Sequence, residues 1–283
     1  MKIAVASGKG GTGKSLVAAN LAFSLMDERA VTLVDCDVEE PNLHLFFPGL
    51  PRSYPVKVPV PVFDEEKCTL CGECGKICRY GAITVLGDRI LLFEDLCHAC
   101  GGCRLICPEG AITEKPRIIG RIETKEPYPG LTLISGVLNE GEIQAPFVIR
   151  AAKKEAEGNP LIIYDASPGI GCPVIETLEG CDAAILVTEP TPFGLHDLLL
   201  AFEVTEMLGI PSGVVINRDG TDDDQVSGVC REHNIPVFMT IPFDREIARI
   251  QNSGELITRV QPEWKQEFRD LFGQMKGIAG VKP

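Results

Sequence analysis

Apolar residues along this chain come in short runs, set apart by glycine-rich, charged or periodic helical stretches. Residues 3–7 form the first run and read as a buried strand. A glycine-rich loop follows, then a helical stretch over 15–26 and a second strand over 31–35 that ends in acidic residues. That β–loop–α–β order predicts the start of a doubly wound, mainly parallel sheet. The pattern breaks at 48–61, where five prolines and little periodicity predict a linker. Residues 64–116 are rich in Cys and Gly and read as a separate module. Strand signals resume at 131–135 and recur at 161–164, 183–187, 213–216 and 237–240, with helical stretches between most of them. The expected organisation is an α/β domain in two parts, 1–61 and 119–283, split by an insert over 62–118. Near the end, Trp264, Phe268, Leu271 and Phe272 fall at helical intervals. Acids are mixed with few basic residues there, which predicts a packed terminal helix rather than a membrane-surface one.

The bulk numbers narrow the class. With 283 residues, 45% hydrophobic and 24% charged, the chain can bury a substantial core without covalent staples. A net charge of −13 argues against a nucleic-acid binder, which needs clustered Lys and Arg to neutralise phosphates. Lys2 runs directly into the first strand, so no basic–apolar–small leader is read, and no apolar run reaches bilayer length. A cytoplasmic protein is expected, with no membrane role. There, its twelve cysteines point to metal binding more than to disulfides.

Gly8-Lys9-Gly10-Gly11-Thr12-Gly13-Lys14-Ser15 satisfies G-x-x-x-x-G-K-[ST], with a strand before it and a helix after it. Glycines let backbone N–H groups curl around phosphate oxygens, and the helix adds its positive N-terminal end. Lys14 is expected on the β- and γ-phosphates of the nucleotide, and the Ser15 hydroxyl on Mg²⁺. Acids close later strands in the same way: Asp35 and Asp37 in Val34-Asp35-Cys36-Asp37, and Asp165 in Ile163-Tyr164-Asp165-Ala166-Ser167-Pro168-Gly169. Open α/β sheets place their ligands at such strand ends.

With its second lysine, Lys9, the loop resembles the deviant Walker A of the MinD/ParA/Mrp ATPases. The resemblance covers about residues 1–47 and 119–283. It implies that Lys9 reaches across an ATP-bound homodimer to the partner's phosphates. Asp35 would support Mg²⁺ through water, and Asp37 would orient the attacking water. Asp165 would hold the Mg²⁺ shell, and the Gly169 N–H would sense γ-phosphate. Asn217 would contact adenine, and Pro242 and Asp244 would flank base and ribose. Gly220 stands where a guanine reader needs an acid, so ATP is expected over GTP.

The insert carries a repeat. Cys68, Cys71, Cys74 and Cys78 recur as Cys97, Cys100, Cys103 and Cys107, and both copies end in Gly-Ala-Ile-Thr. Zinc also binds C-x-x-C pairs, but the extra cysteines, twice over, fit it poorly. The module resembles a bacterial two-cluster ferredoxin, whose fourth thiolate comes from the other repeat. That resemblance implies one [4Fe–4S] cluster on Cys68, Cys71, Cys74 and Cys107, and a second on Cys97, Cys100, Cys103 and Cys78. Cys36, Cys181 and Cys230 read as apolar packers. For Cys172 two readings stay open: a buried switch-loop thiol, or a metal bridge across a dimer.

The expectation is therefore an ATP- and Mg²⁺-dependent P-loop ATPase with an inserted α+β bacterial ferredoxin-like domain and two [4Fe–4S] clusters. Its ATP-driven dimer switch would serve electron transfer or cluster delivery to a redox or metal-cluster partner. The alternatives are a MinD/ParA-like spatial or partner-switching ATPase, and an Mrp-like cluster carrier or scaffold.

Overall fold

The first βαβ unit runs through β1 (Lys2–Ala6), α1 (Lys14–Leu25) and β2 (Val31–Asp35). β3 (Arg52–Phe63) leads out to α2 (Glu73–Ile77), β4 (Ile83–Val85), β5 (Ile90–Leu92) and α3 (Gly102–Ile106), and β6 (Ile112–Tyr128) leads back. Strands and helices then alternate: β7 (Leu131–Leu138), α4 (Ala145–Glu155), β8 (Ile162–Asp165), α5 (Cys172–Leu178), β9 (Ala183–Thr188), α6 (Pro192–Met207), β10 (Ser212–Asp219), α7 (Gln225–Glu232) and β11 (Val237–Pro242). Three helices finish the chain: α8 (Arg245–Asn252), α9 (Ile257–Val260) and α10 (Trp264–Ile278). The computed structural model describes residues 1–220 and 225–280.

Nine strands form one sheet in the order β11-β10-β9-β1-β8-β2-β7-β6-β3. The seven strands from β11 to β7 are mutually parallel; β6 is antiparallel to both β7 and β3. The central strands β1, β2, β8 and β9 are buried on both faces, which is why they read as unbroken apolar runs. Alternate residues serve opposite cores. Ile3, Val5, Leu33 and Ile163 pack with α1 and α10, while Ala4, Val34, Ile162 and Tyr164 pack with α4. In α10, Phe268, Leu271, Phe272 and Met275 are buried, so the apolar stripe of the tail packs onto the body.

Residues 48–61, expected as a linker, are largely β3. Val56, Val58 and Val60 point inward at a period of two, with exposed residues between them. Pro55, Pro59 and Pro61 are tolerated because β3 is the sheet's edge strand, where a missing N–H leaves no ladder partner wanting. β6 is equally unforeseen, pairing with β3 from Arg52↔Thr124 to Phe63↔Ile112.

This geometry also corrects the expected inserted ferredoxin-like domain. The strands on either side of residues 64–111 belong to the main sheet and run unbroken into the segment between them. That segment is a small lobe: two one-turn helices, the β4–β5 hairpin, and two satellite apolar clusters. The observed fold is the doubly wound P-loop NTPase sheet, extended at one edge by an antiparallel pair that carries a cysteine-rich lobe.

Candidate functional site

The phosphate loop lies between β1 and α1, and its shape is set by contacts with later strands. Gly13 has φ 94°, and a Cβ there would lie 2.1 Å from Asn217 Nδ2, so only glycine fits. Asn217, at the end of β10, donates from Nδ2 to the Thr12 carbonyl (2.7 Å) and accepts the Arg218 N–H at Oδ1 (2.9 Å). Gly8 is equally confined, because a Cβ would lie 2.1 Å from the Asp197 carbonyl oxygen of α6.

Three carboxylates from strand ends surround one lysine. Asp35 and Asp165 are adjacent in the β2–β8 register, and both are essentially inaccessible. Lys14 Nζ lies 2.8 Å from Asp165 Oδ1 and 3.8 Å from Asp37 Oδ2. The Ser15 hydroxyl is 3.5 Å from the same ammonium. Asp35 accepts the N–H of Asp37 (3.2 Å) and of Leu43 (3.0 Å). Burial, joined by the charge of Asp165, raises the Asp35 carboxyl well above the ordinary range. Burial also pushes Asp37 up to about 6, against the pull of Lys14. For Lys14, burial alone would lower the pKa; Asp165, Asp37 and Asp35 together outweigh it and raise it.

The site therefore holds more negative than positive charge. Among the described residues, two of its buried polar atoms, Asp165 Oδ2 and Thr12 Oγ1, have no hydrogen-bond partner. A divalent cation with phosphate oxygens fits such a donor set of hydroxyl and carboxylates.

Lys9 sits across the loop and is engaged. Its Nζ lies 2.5 Å from Glu189 Oε1, and Arg218 Nη1 lies 3.2 Å from the other oxygen of Glu189. Burial alone would raise the Glu189 carboxyl, but the two cations prevail and hold it below its usual range. The Gly169 N–H donates to the Ser7 carbonyl at 2.9 Å. Gly10 faces Pro168, its would-be Cβ 3.9 Å from the proline Cβ, and Gly11 is left-handed at φ 82°. Pro242 closes β11, and Asp244 caps α8 by accepting the Glu246 N–H at 2.6 Å.

Glu189 and Arg218 are the residues of this charge cluster that motif reading missed. The available signal was an acid just past a strand end, in Thr188-Glu189-Pro190, one residue beyond β9, whereas Asp35 and Asp165 are the last residues of β2 and β8.

Among the remaining thiols, Cys36 and Cys230 are buried as expected. Cys172 opens α5 and is exposed, which corrects the reading of a buried switch-loop thiol.

In the lobe, Cys68, Cys71, Cys74 and Cys107 line one cavity of about 20 Å³, and Cys78, Cys97, Cys100 and Cys103 line another of about 60 Å³. Among the described residues, however, no group of three or more His, Cys, Asp or Glu is placed to hold a metal ion. The expected pair of [4Fe–4S] clusters is corrected on this ground. With it go the electron-transfer, cluster-delivery and cluster-carrier roles and the redox or metal-cluster partner. Among the described residues no helix is long and apolar enough to cross a membrane.

Comparison with known proteins supports the nucleotide end of the molecule. The uncharacterized protein MJ0579 of Methanocaldococcus jannaschii is 35% identical over 99% of this chain and 96% of its own length. Two solved folds are similar at 22% identity and a TM-score of 0.62. They are the cell division ATPase MinD of Pyrococcus furiosus, with 98% of each chain covered, and the septum site-determining protein MinD of Pyrococcus horikoshii complexed with Mg-ADP, with 100% of this chain and 98% of that one covered. The description "CobQ/CobB/MinD/ParA nucleotide binding domain" matches residues 3–257. With a glycine cradle, a buried lysine and strand-end acids in place, the chain belongs to the CobQ/CobB/MinD/ParA nucleotide-binding family and carries its P-loop ATPase domain.

Proposed function

We propose that this protein is a Mg²⁺-dependent, ATP-driven partner switch of the MinD/ParA kind, working through a deviant P-loop and an ATP-bound homodimer. One observation carries the reading: three phosphate-seeking groups are satisfied internally. Lys14 is held by Asp165, Lys9 by Glu189, and the Gly169 N–H by Ser7. A triphosphate offers each of them a better acceptor, so its arrival exchanges internal bonds for bonds to the ligand. The state without ligand and the state with it then differ in loop position, which is what a switch needs.

The Ser15 hydroxyl would ligate Mg²⁺, with Asp35 and Asp165 in support; the ion's role is to offset phosphate charge. Lys14 positions the β- and γ-phosphates. Asp37, half-buried at the mouth of the site, orients the attacking water. Lys9, once free of Glu189, would reach a second copy's nucleotide. The Asn217 carbonyl has acceptor capacity left for adenine, and Pro242 and Asp244 border the base side.

The test is sedimentation and ATPase measurement with Mg–ATP. Wild type should dimerise with ATP and not with ADP. Asp37→Ala should hold the dimer without turnover, and Lys9→Ala should bind ATP yet neither dimerise nor hydrolyse it. Normal dimerisation and turnover by Lys9→Ala would refute the deviant-loop reading.

A further inference from the structure

A further cavity, of about 340 Å³, lies between the segment after β2 and the β6–β7 pair. Its floor is one face of the β6–β7 pair, its roof the segment after β2, and its lining includes His44, Phe47, Arg121, Lys125, Leu133 and Ser135. The opposite face of the same strands is covered by Val148 of α4, which is why the floor residues alternate with core residues such as Ile122.

The charge here runs against the rest of the molecule. On a chain of net charge −13, Arg121 and Lys125 meet a single carboxylate, Glu123, in the lining. Arg121 Nε pairs with Glu123 Oε1 at 2.7 Å. Lys125 donates to the carbonyls of Phe47 (2.6 Å) and Gly49 (3.4 Å), and among the described residues it has no carboxylate within ion-pair distance. Burial lowers its pKa, as for a cation short of counter-charge. The volume is at the lower end of small-molecule pockets, roughly 300–1,000 Å³. Pro51 and Val137 add accessible apolar surface to the lining, while Phe47 and Leu133 lie nearly inaccessible beneath it.

We propose that this cavity binds a small organic anion, its carboxylate or phosphoryl group held by Arg121 and Lys125 and its apolar part set against Pro51 and Val137, and that its occupancy acts on the nucleotide site. The route is short. The roof hangs from Asp35 through the Leu43 N–H at 3.0 Å, and Ser135 in the floor is the β7 partner of Asp35. A ligand that draws Lys125 away from the Phe47 and Gly49 carbonyls loosens the same segment that holds Asp35 and Asp37.

The test uses the full chain with its P-loop filled by a non-hydrolysable Mg–ATP analogue, so that phosphate cannot enter there. Phenyl phosphate is titrated in by calorimetry. One saturable site is expected. Lys125→Gln should weaken it about tenfold, the loss of one charge-assisted contact, while its amide still serves the loop carbonyls. Arg121→Gln should do likewise, and it is expected to fold because that side chain is 47% exposed. Saturating phenyl phosphate should also change analogue affinity by the factor that the analogue changes phenyl phosphate affinity. Absence of a saturable site, binding that both variants retain in full, or nucleotide affinity indifferent to phenyl phosphate would each overturn the proposal.

Discussion

The nucleotide end and the cysteine lobe both announce themselves by spaced motifs, yet they are built from opposite materials. At the nucleotide end, Lys14, Asp35 and Asp165 are buried, charged and mutually paired. The lobe shows apolar side chains to solvent, among them Tyr80, Phe93 and Leu105, and Tyr80 stacks on His98. Buried charge is stable only with partners in place, so the first region is tightly over-determined by contacts from five strands. The lobe has two small apolar clusters and few such constraints. A motif therefore says most where its surroundings are dictated too. The phosphate loop needs a strand before it and a helix after it, and both are there. A cysteine spacing sets a local turn but does not decide how flanking strands join a sheet.

The contrast can be broken from the nucleotide side first. Lys14→Ala should abolish Mg–ATP binding in a fluorescent-nucleotide titration. It should also destabilise the fold by about 3–5 kcal/mol in urea, because it strands buried carboxylates. Gly13→Ala comes next. Its Cβ would meet Asn217 Nδ2 at 2.1 Å on a backbone with φ 94°, so a loss of about 1–3 kcal/mol and much weakened nucleotide binding are expected. Retained stability there would mean that Asn217 can swing aside.

A smaller effect sharpens the switch reading. Glu189→Gln should release Lys9 and let the dimer form at about fivefold lower ATP, measured by sedimentation. Unchanged ATP dependence would show that the Lys9–Glu189 pair does not restrain dimerisation.

The pH test is subtler. Asp37 is raised from 3.8 in the unfolded chain to about 6 in the folded protein. The folded state therefore holds this proton more tightly, and the associated stability is present below pH 3.8 and lost as pH rises through about 6. Urea unfolding of nucleotide-free protein across this window should show wild type losing stability with rising pH relative to Asp37→Asn. Parallel profiles would refute the shift.

The lobe supplies the smallest effect. Leu105 is 79% exposed, so Leu105→Ser should move stability by no more than about 0.5 kcal/mol and leave ATPase activity unchanged.

Much of the architecture was legible in the chain. The runs at 3–7, 31–35, 161–164 and 183–187 are β1, β2, β8 and β9, because a strand buried on both faces must be apolar throughout. β3 was not legible. Its prolines mask the alternation of Val56, Val58 and Val60, and only its edge position makes them harmless. Asp35, Asp165 and Lys14 were found because their motifs place them at strand and helix ends. Glu189 and Arg218 were missed because their significance lies in meeting Lys9, 180 residues from Glu189 in sequence. The cysteine pattern was read as two resident clusters, and the arrangement of the thiols does not support that reading.

By itself, then, the amino-acid sequence determined the buried parallel strands, the glycine cradle and the family to which they belong. These rest on local rules: apolar runs, left-handed glycines, and a helix that starts on a lysine and a serine. The tertiary structure alone decided which acid holds each lysine, that a proline-rich stretch closes the sheet, and how the cysteines are arranged around their cavities. Those outcomes depend on groups far apart in the chain meeting at short range, and pairing energies and steric limits operate on that distance rather than on sequence separation.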